Sequence, residues 1–459
     1  MTQKRTCMLR RRKRFRASLW GPLAALIVTM GASPGQAQDV DIHGFFSQGY
    51  LKSTGNNFLN QSTKGDFEFA EVGLNFGTQV TDDLRFGIQL YARSLGDIGK
   101  FMPAIDWAFL DYNITDWFNI RAGRVKQPYG LFGEYQDLDL TRATVILPQS
   151  VYFLGIRDLL VNYNGVQAYG NLDLEDWYLG NFDYQLSLGA VMGAPVDGDE
   201  SSMKAFFEND GYNSYTKTYA VEYRNIDNSL YAGLALQWNT PFEELTDYDW
   251  GSLVLKVTFS FYEATVDLKA SDNLVDELKL IGVVDNNYDG NLVMEVPYLL
   301  FWVGSLEYTY ENFVFTAEYT RYFGKFKSTA NEAGTVPNSF LNQESFYVQA
   351  SYRFSDWLQM ATYLSIQYDP DCRDGLNGSN CGDYAPDLQN NPEQLQPRHD
   401  AWQKDLAVSL RFDVNDYWLI KLEAHFIDGT ARAYETMNPE QESLERYWTM
   451  FGAKTTLTF

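Results

Sequence analysis

The strongest regularity in this chain is an alternation of apolar and polar residues with a period of two. In LRFGIQLYAR, 84–93, Leu84, Phe86, Ile88, Leu90 and Ala92 share one face, and Arg85, Gly87, Gln89, Tyr91 and Arg93 share the other. The same division sets Val72, Leu74 and Phe76 against Glu71, Gly73, Asn75 and Gln79. It sets Phe346, Val348, Ala350, Tyr352 and Phe354 against Tyr347, Gln349, Ser351 and Arg353. In 406–413 Leu406, Val408, Leu410 and Phe412 oppose Ser409, Arg411 and Asp413, and in 418–426 Trp418, Ile420, Leu422, Ala424 and Phe426 oppose Lys421, Glu423 and His425. Successive side chains of a strand point to opposite faces, so this period predicts β-strands with one apolar face. These segments are longer than the usual five or six residues of a soluble sheet and match strands that cross a bilayer.

Short turn motifs punctuate the strands. NITDWFNI (113–120), LEDWYLGN (174–181), FSDWLQM (354–360) and VNDYWLIK (414–421) each place acids or an Asn beside Trp or Tyr, and VTDDLRF (80–86) is a weaker relative. Asp and Asn favour tight turns, and a neighbouring Trp or Tyr is most stable at headgroup depth. These are expected to be periplasmic turns. Long polar connections at 126–157, 194–214, 271–296, 327–342, 370–399 and 429–445 are expected outside the cell. In the last segment Phe451, Ala453, Leu457 and Phe459 share the lipid face, and a final strand ending in Phe looks like the assembly signal of bacterial outer-membrane proteins. The predicted fold is all-β: a transmembrane antiparallel β-barrel of 16 strands, or 18 if GSLVLKVTFSFYEATVDLKA (251–270) turns near Tyr262–Glu263. A barrel of this size encloses an aqueous channel.

Composition agrees with this reading. Aromatic residues make up 16% of 459 residues, and no apolar run after residue 32 approaches the length of a membrane helix. The first 37 residues read as a cleaved secretory signal: basic 4–16, apolar 17–32, then small residues with cleavage expected after Ala37. The barrel domain would be 38–459. Cleavage removes eight Lys/Arg and no acid, moving the net charge from −24 to about −32, which excludes nucleic acid as a partner. In an exported chain Cys372 and Cys381, nine residues apart among turn formers, are expected to close one disulfide.

The most informative stretch is 120–158, IRAGRVKQPYGLFGEYQDLDLTRATVILPQSVYFLGIRD. About thirty residues separate the end of the fifth strand from the return of alternation at VNYNGVQAYG, with an apolar patch, ATVIL, inside them. Such a loop is not expected to lie wholly in solvent, and folding back into the barrel would make 126–157 a constriction. Gly123-Arg124-x-Lys126-x-Pro128-x-Gly130 resembles a segment of the phosphate-selective porin family, and NGVQAYG (164–170) resembles the stretch that follows its constriction loop. The resemblance implies a passive outer-membrane channel and a homotrimer, with outer-membrane lipid and lipopolysaccharide as surroundings. Phosphate selection in that family uses a basic ladder, whereas this loop mixes Glu134, Asp137 and Asp139 with Arg142 and Arg157.

The candidate pore residues are Arg85, Arg93, Arg121, Arg124, Lys126, Glu134, Asp137, Asp139 and Arg142. Parity also turns Arg353, Arg411, Lys454, Glu71, Asp111, Glu307, Glu318 and Glu423 inward, and walls of both signs favour small hydrophilic solutes. Arg124 and Lys126 have a second candidate role, anchoring the loop base by hydrogen bonds to carbonyls. Two other functions stay open. Inward Tyr91, Trp107, Phe109, Tyr231 and Tyr347 fit a substrate-specific channel for a sugar, carboxylate, phosphate or peptide, and a closed barrel would serve structure or adhesion. No catalytic, zinc or calcium motif is present, so neither an enzyme nor a cofactor is expected.

Overall fold

The computed structural model describes residues 40–191, 201–210, 212–213, 218–219, 221–241, 250–280, 282, 284–329, 339–368, 370, 398–438 and 444–459. The expected signal segment and both Cys372 and Cys381 lie outside the described residues. Sixteen strands form the barrel. They are β1 (Val40–Ser53), β2 (Phe69–Gln79), β3 (Leu84–Leu95), β4 (Ala104–Thr115), β5 (Phe118–Lys126), β6 (Asn162–Asp173), β7 (Asn181–Ala190) and β8 (Val221–Asn239). Then come β9 (Ser252–Ala270), β10 (Asn291–Tyr310), β11 (Phe313–Thr329), β12 (Ser339–Ser355), β13 (Leu358–Tyr368), β14 (Trp402–Asn415), β15 (Trp418–Gly429) and β16 (Tyr447–Thr458). Each pairs antiparallel with its sequence neighbours, and β1 pairs with β16 to close the ring. Segment 252–270 is one strand, so the count is 16 and the turn considered at Tyr262–Glu263 is instead a register shift within β9.

The exterior is apolar and the interior carries the polar groups, the inverse of a soluble protein. On β15 Leu422 and Phe426 are exposed while Lys421, Glu423 and His425 are buried. On β12 Val348, Tyr352 and Phe354 face out and Tyr347, Gln349 and Ser351 face in. This exterior is stable only against hydrocarbon, and ring closure leaves no strand edge unpaired within it. Trp117, Trp177, Trp357 and Tyr417 are exposed at one rim, beside the tight turns that join β4–β5, β6–β7, β12–β13 and β14–β15. The chain ends at the same rim, where the Phe459 and Gly44 amides each donate to the other's carbonyl at 3.1 Å.

The opposite rim holds the long connections, including 54–68 and 96–103, which the alternation does not reveal. Strands β8 to β12 run 17–20 residues, well past the 9–11 needed to span, so they project beyond the membrane on this side. Residues 291–296, expected in a loop, open β10, and Thr329 still belongs to β11. A bulge at Pro297–Tyr298 resets the phase of β10. Met294 and Val296 face in before it, and Leu299, Phe301 and Val303 face in after it.

Candidate functional site

The connection between β5 and β6 folds into the barrel, and the Gly-Arg-x-Lys-x-Pro-x-Gly segment sets its course. Gly123 has φ +136°, and a Cβ there would lie 2.3 Å from the Ala108 carbonyl oxygen, so only glycine fits beside β4. Arg124 donates from Nε to the Asp106 carbonyl at 3.2 Å. Lys126 reaches carboxylates rather than carbonyls: Asp106 at 2.5 Å and Asp137 at 2.7 Å. Gly130, at φ +57°, turns the chain inward and donates its amide to Thr258 Oγ1 on β9 at 3.2 Å.

Three clusters then tie the loop to the wall. At its root Arg157 pairs with Asp137 at 2.5 Å and with Asp106 at 3.4 Å, and its guanidinium covers the Tyr91 ring at 4.7 Å. Arg93 holds Asp158, at the start of a short helix α1 (Arg157–Leu160), at 3.0 Å. On the β14–β16 side Asp139 meets Arg142 at 2.8 Å, Lys454 at 2.9 Å, Lys421 at 3.5 Å and the Thr456 hydroxyl at 2.7 Å. Lys454 also pairs with Glu71 at 2.5 Å, and Lys421 donates to the carbonyls of Asp139 and Thr144 at 2.7 and 3.0 Å. Arg411 donates to the Leu140 and Arg142 carbonyls at 2.7 and 3.1 Å. Glu423 accepts the successive amides of Val145 and Ile146 at 2.8 and 3.0 Å. Across the lumen Glu318 on β11 accepts the Leu131 amide at 2.8 Å and the hydroxyls of Tyr152, Ser305 and Tyr347 at 2.5, 2.5 and 2.7 Å. The apolar patch needs its own cover: Val145 and Ile146 pack on Leu51, Phe69, Trp448 and Met450 inside the barrel.

Burial by itself would raise the Asp137 carboxyl, but Arg157 and Lys126 outweigh it and hold the group well below the ordinary carboxylate range. Asp139 is likewise buried, and Lys454, Lys421 and Arg142 carry it well below its usual value. A carboxylate depressed on folding adds stability above its unfolded value of about 3.9 and loses it only as pH falls through the lower folded value. Asp137 and Asp139 should therefore contribute no loss of loop protection from protease in detergent between about pH 8 and about pH 4. Loss of protection near pH 6 would assign control of the loop to another group.

The candidate residues thus separate into two sets. Arg93, Lys126, Asp137, Asp139 and Arg142 are buried in ion pairs. The others stand more open to the lumen. Arg85 is exposed near the short-turn rim, in register with Asp111, which pairs with Arg121 at 3.0 Å. Arg121 also lies over the Phe109 and Tyr169 rings at 4.4 and 4.8 Å. Arg353 meets Asp413 at 2.8 Å, and Glu134 accepts from Gln185 at 3.4 Å. Asp106, Lys421, Glu318 and Glu423 anchor the loop without being singled out as site residues. Inward parity is readable for Lys421, Glu318 and Glu423, whereas Asp106 is out of phase with Trp107 and Asp111 and is buried through the register shift beside it; the distant partner is readable for none of them. Both ring nitrogens of His425 are engaged, by Asp405 and Glu423 at 3.0 Å each.

No family model and no curated protein matches this chain. Among solved structures it is similar to outer-membrane expressed OmpT of Vibrio cholerae, at 10% identity and a TM-score of 0.49, over 93% of this chain and 99% of that one. It is similar to OmpF of Salmonella typhi in complex with daunomycin at 13% identity and a TM-score of 0.48, over 92% and 98%. The outer membrane channel DcaP of Acinetobacter baumannii gives 13% identity and a TM-score of 0.48, over 93% and 99% of the two chains.

Proposed function

We propose that this chain is an outer-membrane porin through which small hydrophilic solutes and ions diffuse passively, with the β5–β6 loop as its constriction. The carrying observation is that this loop crosses the interior of a lipid-facing barrel and is fastened to β9, β11 and β14–β16. The buried charges fix where the loop lies and thereby the size of the opening. Charges nearer the open lumen, Arg85, Arg121 with Asp111, Arg353 with Asp413, and Glu134, set the field a solute meets. Phosphate selection is not our reading, because Arg93, Lys126, Arg142, Arg157, Lys421 and Lys454 are each paired with carboxylates and leave no free basic ladder there.

Refolded protein in a planar bilayer is expected to give stepwise conductance in KCl, with a reversal potential of mild cation preference from the acidic chain. Arg85→Gln should move that potential further toward cations. A sealed bilayer would overturn the porin reading in favour of a structural or adhesive barrel, and anion preference would restore the phosphate-type channel. A substrate-specific channel has one observation of its own. Trp107 and Phe109 stack with centroids 5.1 Å apart and remain half-buried on the inner wall. Current block by a neutral sugar would favour it.

A further inference from the structure

We infer that the outer half of the barrel holds a binding site for a small monocarboxylate with an apolar body, its carboxylate on Arg432 and its body against α2 (Ser202–Asp210) and the inner wall of β8–β12. The site is distinct from the loop clusters above. A cavity of about 80 Å³ lies there, and the space around it, including solvent at its mouth, is about 770 Å³. Its walls are almost wholly apolar, with Met203, Phe207, Ile226, Tyr262, Leu299 and Phe301 prominent. The aromatic members are already held in place: Phe207 stacks on Tyr223 at 5.5 Å, and Tyr262 meets Phe301 edge-on at 5.6 Å.

The polar end is as specific as the apolar one. Arg432 is only 7% exposed, and among the described residues it has no carboxylate partner. One terminal nitrogen donates to the Tyr322 hydroxyl at 2.7 Å and the guanidinium lies over the Phe153 ring at 4.1 Å, while Nε has no acceptor. Tyr322 in turn donates to Gln343 Oε1, which leaves the Gln343 amide nitrogen, 8% exposed, also without an acceptor. Arg432 and Gln343 both border the cavity. Buried arginine is almost always paired, and two buried donors beside one hydroxyl match the two oxygens of a carboxylate. Glu263 also borders the cavity, but it is exposed at the bulge of β9. The apolar walls select against phosphate and other small inorganic anions, which would lose hydration there without replacement.

Calorimetry on the full chain in detergent tests this without reference to conductance, so its failure is separable from failure of the porin reading. Benzoate is the probe, with benzyl alcohol as the uncharged body and acetate as the bare head. The expected result is that benzoate binds at least about tenfold more tightly than either, since each lacks one end of the site. Arg432→Gln should weaken benzoate by about tenfold or more, and Arg432→Lys should restore part of it. Should Arg432→Gln fail to fold, the comparison of the three probes on the unaltered protein still decides. Equal binding of benzoate and benzyl alcohol, an unchanged affinity in a folded Arg432→Gln barrel, or no benzoate binding would each overturn the proposal.

Discussion

Asp139→Asn is expected to destabilise the barrel by about 3–5 kcal/mol and to enlarge its conductance, because it leaves the buried Lys421 ammonium without its counter-charge. Lys421 and Lys454 are buried, and Asp139 is the carboxylate they share at 3.5 and 2.9 Å. Lys454 keeps Glu71, and Lys421 keeps the Asp139 and Thr144 carbonyls, so Lys421 bears most of the loss. Asparagine can still accept from Thr456 or Arg142, which isolates charge from hydrogen bonding. The measurement is the temperature at which the folded band disappears on an SDS gel, read beside single-channel current. Lys421→Met in the Asp139→Asn background removes the stranded charge and should recover a substantial part of the loss. An Asp139→Asn barrel as heat-stable as the parent would mean that water reaches these lysines. A destabilised barrel with unchanged conductance would mean that the loop stays in place without this anchor.

The barrel was legible in the sequence wherever only one face of a strand was apolar. In β2, β3 and β13–β16 lipid lies outside and polar groups inside, so period two appears directly in Leu84–Arg93 and Trp418–Phe426. It faded in β8–β11, where residues such as Val266, Leu268, Met294 and Phe301 face inward yet are apolar, because the projecting half of the barrel has a core of its own. Periodicity alone cannot separate a strand apolar on both faces from a loop with apolar patches, and residues 291–296 were assigned to the wrong class for that reason. The inner destination of Val145 and Ile146 followed from their sequence, since an apolar patch that size does not stay in solvent. Its anchors did not follow: Glu423 and Glu318 sit more than 160 positions from the loop atoms they bind. Local pattern carries no information about such pairs. Asp137 and Asp139 were visible as charges in a loop, but whether they face solute or lysine is decided by packing.

The second large effect is expected from Glu318→Leu, which should destabilise the folded barrel by about 3 kcal/mol or more and free the middle of the loop. Glu318 is 2% exposed and accepts four hydrogen bonds, two of them from the loop residues Leu131 and Tyr152. Leucine has a similar volume, so the core around Tyr129, Tyr152 and Tyr347 stays filled while four donors lose their acceptor. Each unsatisfied buried donor costs about 1–3 kcal/mol, reduced where a hydroxyl rotates to another partner. The Leu131 amide is fixed by the backbone and cannot rotate to another acceptor. Glu318→Gln retains one acceptor oxygen and should cost about 1–2 kcal/mol, with conductance closer to the parent. The contrast between the two variants separates acceptors from charge. Equal losses in both would show that the negative charge holds the loop. A larger current for leucine than for glutamine would show that this carboxylate holds the loop through the donors it satisfies.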